Sequence, residues 1–183
     1  MSVREQLWEV ASDMFGYVTP RHALELGISR PAFDMFAARG NLERAAHGVY
    51  RFPEYPVTDR DHYMLAVLWT GRPEACLSHD TALAVREVSD LNPDRVHVTV
   101  GAGRRIRRSG GDLYVVHYAD LRPEQHAWWE GVPSVTLPTA IEQCIQSGVP
   151  AYLLSQALDA GARTGALLPD EADQLAERLA GRL

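Results

Sequence analysis

The chain has 183 residues, 46% of them apolar and 23% charged, and a formal net charge of −6. That is enough apolar material for a core, in one domain or two small ones. No stretch approaches the ~18 consecutive apolar residues of a membrane helix. The opening MSVREQLWEV spreads charges through an amphipathic pattern, unlike a signal peptide, so a soluble, cytoplasmic protein is expected.

All 18 basic residues are arginine. Lysine Schiff bases, the P-loop lysine and nuclease sites that need a lysine beside paired carboxylates are therefore excluded. The acid is unevenly spread. Residues 1–56 hold six arginines against seven acids, residues 57–118 eight against eight, and residues 119–183 four against nine. Global acidity thus says little against nucleic-acid binding by the N-terminal part. Cys76 and Cys144 lie far apart in apolar settings; a disulfide is one reading, and two buried thiols is the expected one for a cytosolic chain. No cysteine or histidine spacing suggests a metal site, and neither a metal nor a cofactor is expected.

In chain order, Val3, Leu7, Val10, Met14 and Phe15 stand at helical spacing over residues 3–15, with Gly16 as the stop. Thr19-Pro20 pairs a capping hydroxyl with proline at a first helical position, and Gly27 ends the short helix that follows. Ser29 caps the next helix, with Ile28 and Phe33 at the positions of a hydrophobic staple, and Gly40 closes it. LERA and VYRF around Ala46-His47-Gly48 read as a hairpin. Helix, helix-turn-helix and hairpin predict a winged helix-turn-helix over residues 1–56.

Pro53–Pro56 reads as a linker into a second domain, 57–183, expected to be a small α/β unit with a short antiparallel sheet and several helices, giving an α+β protein. Its elements would be a helix in DRDHYMLAVLWTG with Tyr63, Val67 and Leu68 on its apolar face, and a helix in LSHDTALAVREV capped by Ser78. VHVTV and LYVVHY would form a hairpin joined by GAGRRIRRSGGD. Helices over 138–147, 150–163 and 169–180 would complete it.

The winged-helix reading implies DNA binding, with the second helix in the major groove and the wing on the backbone. Arg30 would reach a guanine edge or a phosphate, and Ser29 with the helix N-terminus would hold a phosphate. Arg44, Arg51 and His47 would grip the sugar-phosphate chain, flanked by Arg21 and Arg39. The competing reading is a winged helix for protein contacts with solvated arginines. The exposed helix face, Pro31, Asp34, Met35 and Ala38, is poor in base-reading side chains, so specificity would draw on Arg30, apolar contact and DNA shape. The small basic complement favours a dimer on DNA. Arg104, Arg105, Arg107 and Arg108 form a second basic patch at the expected hairpin tip, either a phosphate contact or a solvated turn. Ser78-His79-Asp80 invites a catalytic-triad reading, which fails because adjacent helix positions do not face one another. No catalytic residue is expected.

The winged-helix stretch ending GVYRF, then LSHDTALAV, VHVTV, a basic hairpin and GVPSVTLPTAIEQC, in that order, resembles the AbiEi family of antitoxins. The resemblance implies a type IV toxin–antitoxin, abortive-infection system. The winged helix would bind inverted repeats in its own promoter as an autoregulating transcriptional repressor. The C-terminal domain would counteract a nucleotidyltransferase-like toxin, functionally and without a stable complex. Thr136–Cys144 departs from the TPxRTxxD pattern of many relatives at Thr139, Ala140 and Gln143, so no role is carried over to those positions. Two alternatives stay open: a stand-alone winged-helix regulator whose C-terminal domain dimerises or senses a ligand, and a hydrolase or nuclease using the SHD segment or acidic residues.

Overall fold

A computed structural model describes residues 1–182; Leu183, the end of the expected second domain, lies outside them. The chain is mixed helix and sheet and forms two compact units, Met1–Ala75 with Ile106–Gly111, and Cys76–Arg105 with the chain from Asp112 on. Residues 57–75 and 106–111, expected with the C-terminal part, thus cluster with the N-terminal one.

In the N-terminal unit, α1 (Val3–Asp13) starts at a capping box in which the Ser2 hydroxyl accepts from the Glu5 amide. Gly16, at φ +84°, turns the chain into β1 (Tyr17–Val18), a strand that its length of two residues hides from sequence patterning. α2 (Pro20–Glu25) is capped by Thr19, and α3 (Arg30–Phe36) by Ser29, whose Oγ accepts from Ala32 N at 3.4 Å. Ile28 and Phe33 are both buried, as a staple requires. The helix runs on into a π-type turn, Ala37–Asn41, that Gly40 breaks at φ +82°. β2 (Glu43–Ala46) and β3 (Val49–Arg51) then form the hairpin, with an irregularity between Arg44 and Ala46, and β1 adds antiparallel to the other side of β3. Leu7, Ala11, Val18, Ala23, Phe33 and Phe52 make the core, with Trp8 edge-on to Phe52 and Phe33 edge-on to Tyr50.

The stretch read as a linker is tied down. Arg51 Nη2 donates to Pro56 O at 2.9 Å, and Asp61 Oδ1 accepts from Thr58 Oγ1 at 2.6 Å, at the start of α4 (Asp61–Trp69). That helix buries Met64, Ala66, Val67 and Trp69, whereas Tyr63 and Leu68 of its expected apolar face are only half-buried.

The C-terminal unit holds a five-stranded sheet in the order β6-β5-β4-β8-β7: β4 (Cys76–Leu77), β5 (Val96–Val100), β6 (Tyr114–Tyr118), β7 (His126–Trp129) and β8 (Val132–Val135). It is mixed, not antiparallel. β4 pairs antiparallel with β5 and parallel with β8, while β5 and β6 run parallel from Val96↔Tyr114 to Val100↔Tyr118. VHVTV and LYVVHY are therefore not a hairpin, and the basic segment is a crossover rather than a hairpin tip. Its length made this topology available, since parallel neighbours need about a dozen connecting residues. α5 (His79–Ala84), α6 (Leu137–Ser147), α7 (Ala151–Thr164) and α8 (Pro169–Arg182) complete the unit. Leu83, Ile141, Leu154, Leu158 and Leu175 from these helices share one core with Cys76 and Val135 of the sheet.

Candidate nucleic-acid interface

The residues expected to meet DNA divide by what they touch. Ser29 is exposed at the start of α3, its hydroxyl engaged in the cap. Arg30 is held along α3, its Nε donating to both Asp34 carboxylate oxygens at 2.8 and 2.9 Å. Arg21 is paired in the same i,i+4 manner with Glu25 at 2.8 Å. Arg39 beyond α3, Arg44 on β2 and His47 in the hairpin turn are exposed.

Arg51 is not on the surface. β3 is the middle strand, with Glu43 and Tyr17 as Arg51's cross-strand neighbours. The guanidinium turns inward over the Tyr17 and Tyr55 rings and pairs with Asp61 at 3.1 Å, with side-chain exposures of 14% and 11%. Its charge ties β3 to α4 through Asp61.

The second basic patch is split. Arg107 and Arg108 belong to the N-terminal unit, Arg104 and Arg105 to the C-terminal one, where Arg105 lies over the Tyr118 ring. Arg108 donates to Trp69 O at 2.9 Å and to His47 O at 3.5 Å, so the segment 106–111 packs beside the hairpin turn. Burial, then the Arg72 charge, lowers the Arg108 pKa from its ordinary value. Arg107 next to it is exposed. No local sequence pattern could have placed Arg108 next to His47, because the contact spans some sixty residues of chain.

A second constellation, in the C-terminal unit, escaped sequence reasoning altogether. His79 stacks on His117 with ring centroids 3.5 Å apart, and His117 Nε2 lies 3.2 Å from His97 Nδ1. His97 Nδ1 is 3.7 Å from Asp80 Oδ1, which also receives the Cys144 thiol at 3.8 Å. Burial first, then the neighbouring imidazoles, lowers the pKa of His79 to about 3 and of His117 to about 4. His97 is lowered by burial too, against the pull of Asp80. Burial raises the Cys144 thiol. No group of three or more such side chains among the described residues has a metal-holding arrangement.

Ser78 and His79 do meet, contrary to the geometric expectation, with Ser78 Oγ 3.0 Å from His79 Nδ1. Ser78 precedes the helix in extended backbone and His79 is left-handed at φ +49°, so neither obeys helical directions. The hydroxyl takes a hydrogen bond from Thr99 Oγ1 at 2.7 Å instead of capping α5, and Ser78 is wholly buried.

The same unit has a cleft of about 530 Å³ lined in part by Arg86, Arg122, Thr136, Thr139 and Glu171. Arg86 spends its guanidinium on Ala82 O, Ser134 Oγ and Val135 O, and Arg122 pairs with Glu124. Among the described residues no helix is long and apolar enough to cross a membrane.

A capped, exposed helix followed by an arginine-bearing hairpin has the make-up expected of a regulator's surface. Comparison with known families agrees: residues 5–53 match the family described as "Transcriptional regulator, AbiEi antitoxin", which bears out the resemblance over that segment. No curated protein matches the chain. Among solved structures, the RV2827C protein from Mycobacterium tuberculosis is similar at 14% identity and a TM-score of 0.47, over 96% of this chain and 81% of that one.

Proposed function

We propose that the protein is a DNA-binding antitoxin that represses its own operon through a winged helix-turn-helix in the N-terminal unit. α3 would lie in the major groove and the β2–β3 hairpin would act as the wing against the backbone. The observation that carries this reading is the capped, exposed α3 followed by a hairpin bearing Arg44 and His47, inside the segment that matches a regulator family. Arg107 extends the wing's positive charge from the far side of the sequence. Arg51 leaves the DNA surface in this reading, while Arg21, Ser29, Arg30, Arg39, Arg44 and His47 stay on it.

The finer roles follow the resemblance. The partner DNA would be inverted repeats upstream of the gene, bound by a dimer. The C-terminal unit would counteract a nucleotidyltransferase-like toxin of a type IV, abortive-infection system without forming a stable complex. A gel-shift titration of the full chain against its own upstream DNA, at two salt concentrations, tests the first part. Arg44→Ala with Arg107→Ala should weaken binding and lower the salt slope by about 2, one for each phosphate no longer neutralised. Unchanged affinity and slope in a folded double variant would remove the proposed wing from the interface. Growth rescue beside a co-expressed nucleotidyltransferase toxin tests the second part, and failure to rescue would refute it. The cleft by Arg86 and Thr136 favours one alternative, a regulator whose C-terminal unit senses a ligand.

A further inference from the structure

The recognition face is chemically unusual. Pro31, Asp34, Met35 and Ala38 are exposed and, three and four positions apart, share one side of α3 and its continuation. Three of the four have no side-chain donor or acceptor of any strength. The fourth, Asp34, has both carboxylate oxygens bonded to Arg30 Nε, so the pair carries no net charge. Met35 is 52% exposed, a large flexible apolar side chain left in water on the helix that would face DNA.

In the major groove, each base pair shows a pattern of donors and acceptors, and the one apolar feature is the C5 methyl group of thymine. A face of proline, methionine and alanine matches that feature and little else. The Arg30–Asp34 ion pair carries no net charge and so has little net attraction for phosphate, which disfavours docking this face on the backbone. We infer that α3 reads thymine methyl groups, with Met35 as the principal contact, so that the operator is selected for thymines at set positions. This rests on the proposed DNA-binding function and deepens it. Met35 is an adaptable side chain for such a contact because its unbranched thioether can fill an irregular surface between two methyls.

The test uses two duplexes of the same upstream sequence, one made with thymidine and one with deoxyuridine throughout, which lacks only the methyl groups. The full-length protein is titrated against both at low salt, beside Met35→Ala and Met35→Leu. The expected result is weaker binding to the uracil duplex, by about fourfold for each contacted methyl, the factor that one buried methylene-sized group supplies. Met35→Ala should shrink that preference and Met35→Leu should keep most of it. Equal affinity for the two duplexes overturns the inference while leaving DNA binding intact. A preference undiminished in Met35→Ala also overturns it, because the methyls would then act through duplex stiffness and not through this side chain. Failure to bind either duplex overturns the DNA-binding reading itself, and this inference with it.

Discussion

Lowering the pH from 7 to 5 should destabilise the C-terminal unit through its histidine cluster. The folded chain keeps His79 and His117 neutral, with pKa values lowered from 6.5 to about 3 and about 4 by burial first and then by neighbouring imidazoles, His117 and His97 for His79 and His97 for His117. The unfolded chain protonates the same imidazoles near 6.5. At pH 5 the unfolded state therefore binds more protons, and stability falls with pH in that direction. The contribution is complete above about pH 6.5 and is lost progressively as the pH drops toward the folded-state values. A shift of one unit corresponds to about 1.4 kcal/mol, and at pH 5 each group has used about 1.5 units of its window. Together the two imply a loss of at most about 2–4 kcal/mol, brought toward the lower end by solvent screening of the part-exposed His117 and by the stacked rings titrating as a pair. That is a large share of the ~5–15 kcal/mol of a typical domain.

The assay is urea unfolding followed by circular dichroism at pH 7, 6 and 5, a range in which most carboxylates are already ionised in both states. The His117→Gln variant should be less sensitive to pH than the parent by about half of the effect, whatever its absolute stability. An unfolding midpoint that does not move between pH 7 and pH 5 would refute the reasoning. So would a variant with the parent's pH dependence, since the protons would then be going elsewhere.

Two further substitutions test how the N-terminal unit is held together. Arg51→Ala leaves the Asp61 carboxylate buried without its cation, and breaking a buried pair of this kind costs about 3–5 kcal/mol. Urea unfolding reads it, and a loss under 1 kcal/mol would mark the pair as an ordinary surface one. The same variant is a poor probe of DNA contact, because any weakened binding would follow from damaged structure. Gly16→Ala places a Cβ within 2.6 Å of Tyr55 Cβ, at a φ of +84° that L residues rarely adopt. It should lower stability by at least about 1–3 kcal/mol, and a thermal midpoint equal to the parent's would show that the α1–β1 turn relaxes freely.

The N-terminal helices were legible because their ends are written in local chemistry. Thr19-Pro20, Ser29 and the glycines at 27 and 40 each act within four residues of themselves, and the structure uses every one as read. The sheet of the second unit was not legible for the opposite reason. Val-rich runs declare a strand but not its direction, and a connection over residues 101–113 is long enough to be either a loose hairpin or a crossover. Strands of two residues, β1 and β4, are too short for alternation to register at all.

The proposed binding surface shows the same division at the level of single arginines. Residue type and spacing made Arg44 and Arg51 look equivalent, two cations on the two strands of one hairpin. What separates them is non-local: β1 makes β3 the central strand, and Asp61 supplies a carboxylate ten residues beyond the hairpin. Arg108 makes the reverse journey, from a solvated turn in the sequence to the carbonyl of the hairpin's own His47. A charge count along the chain cannot tell a cation that seals a domain from one that faces a ligand, because that depends on where the nearest carboxylate lies in space. Arg39, Arg44 and Arg107 are exposed, and on the proposed reading their removal should change DNA affinity and leave the fold alone.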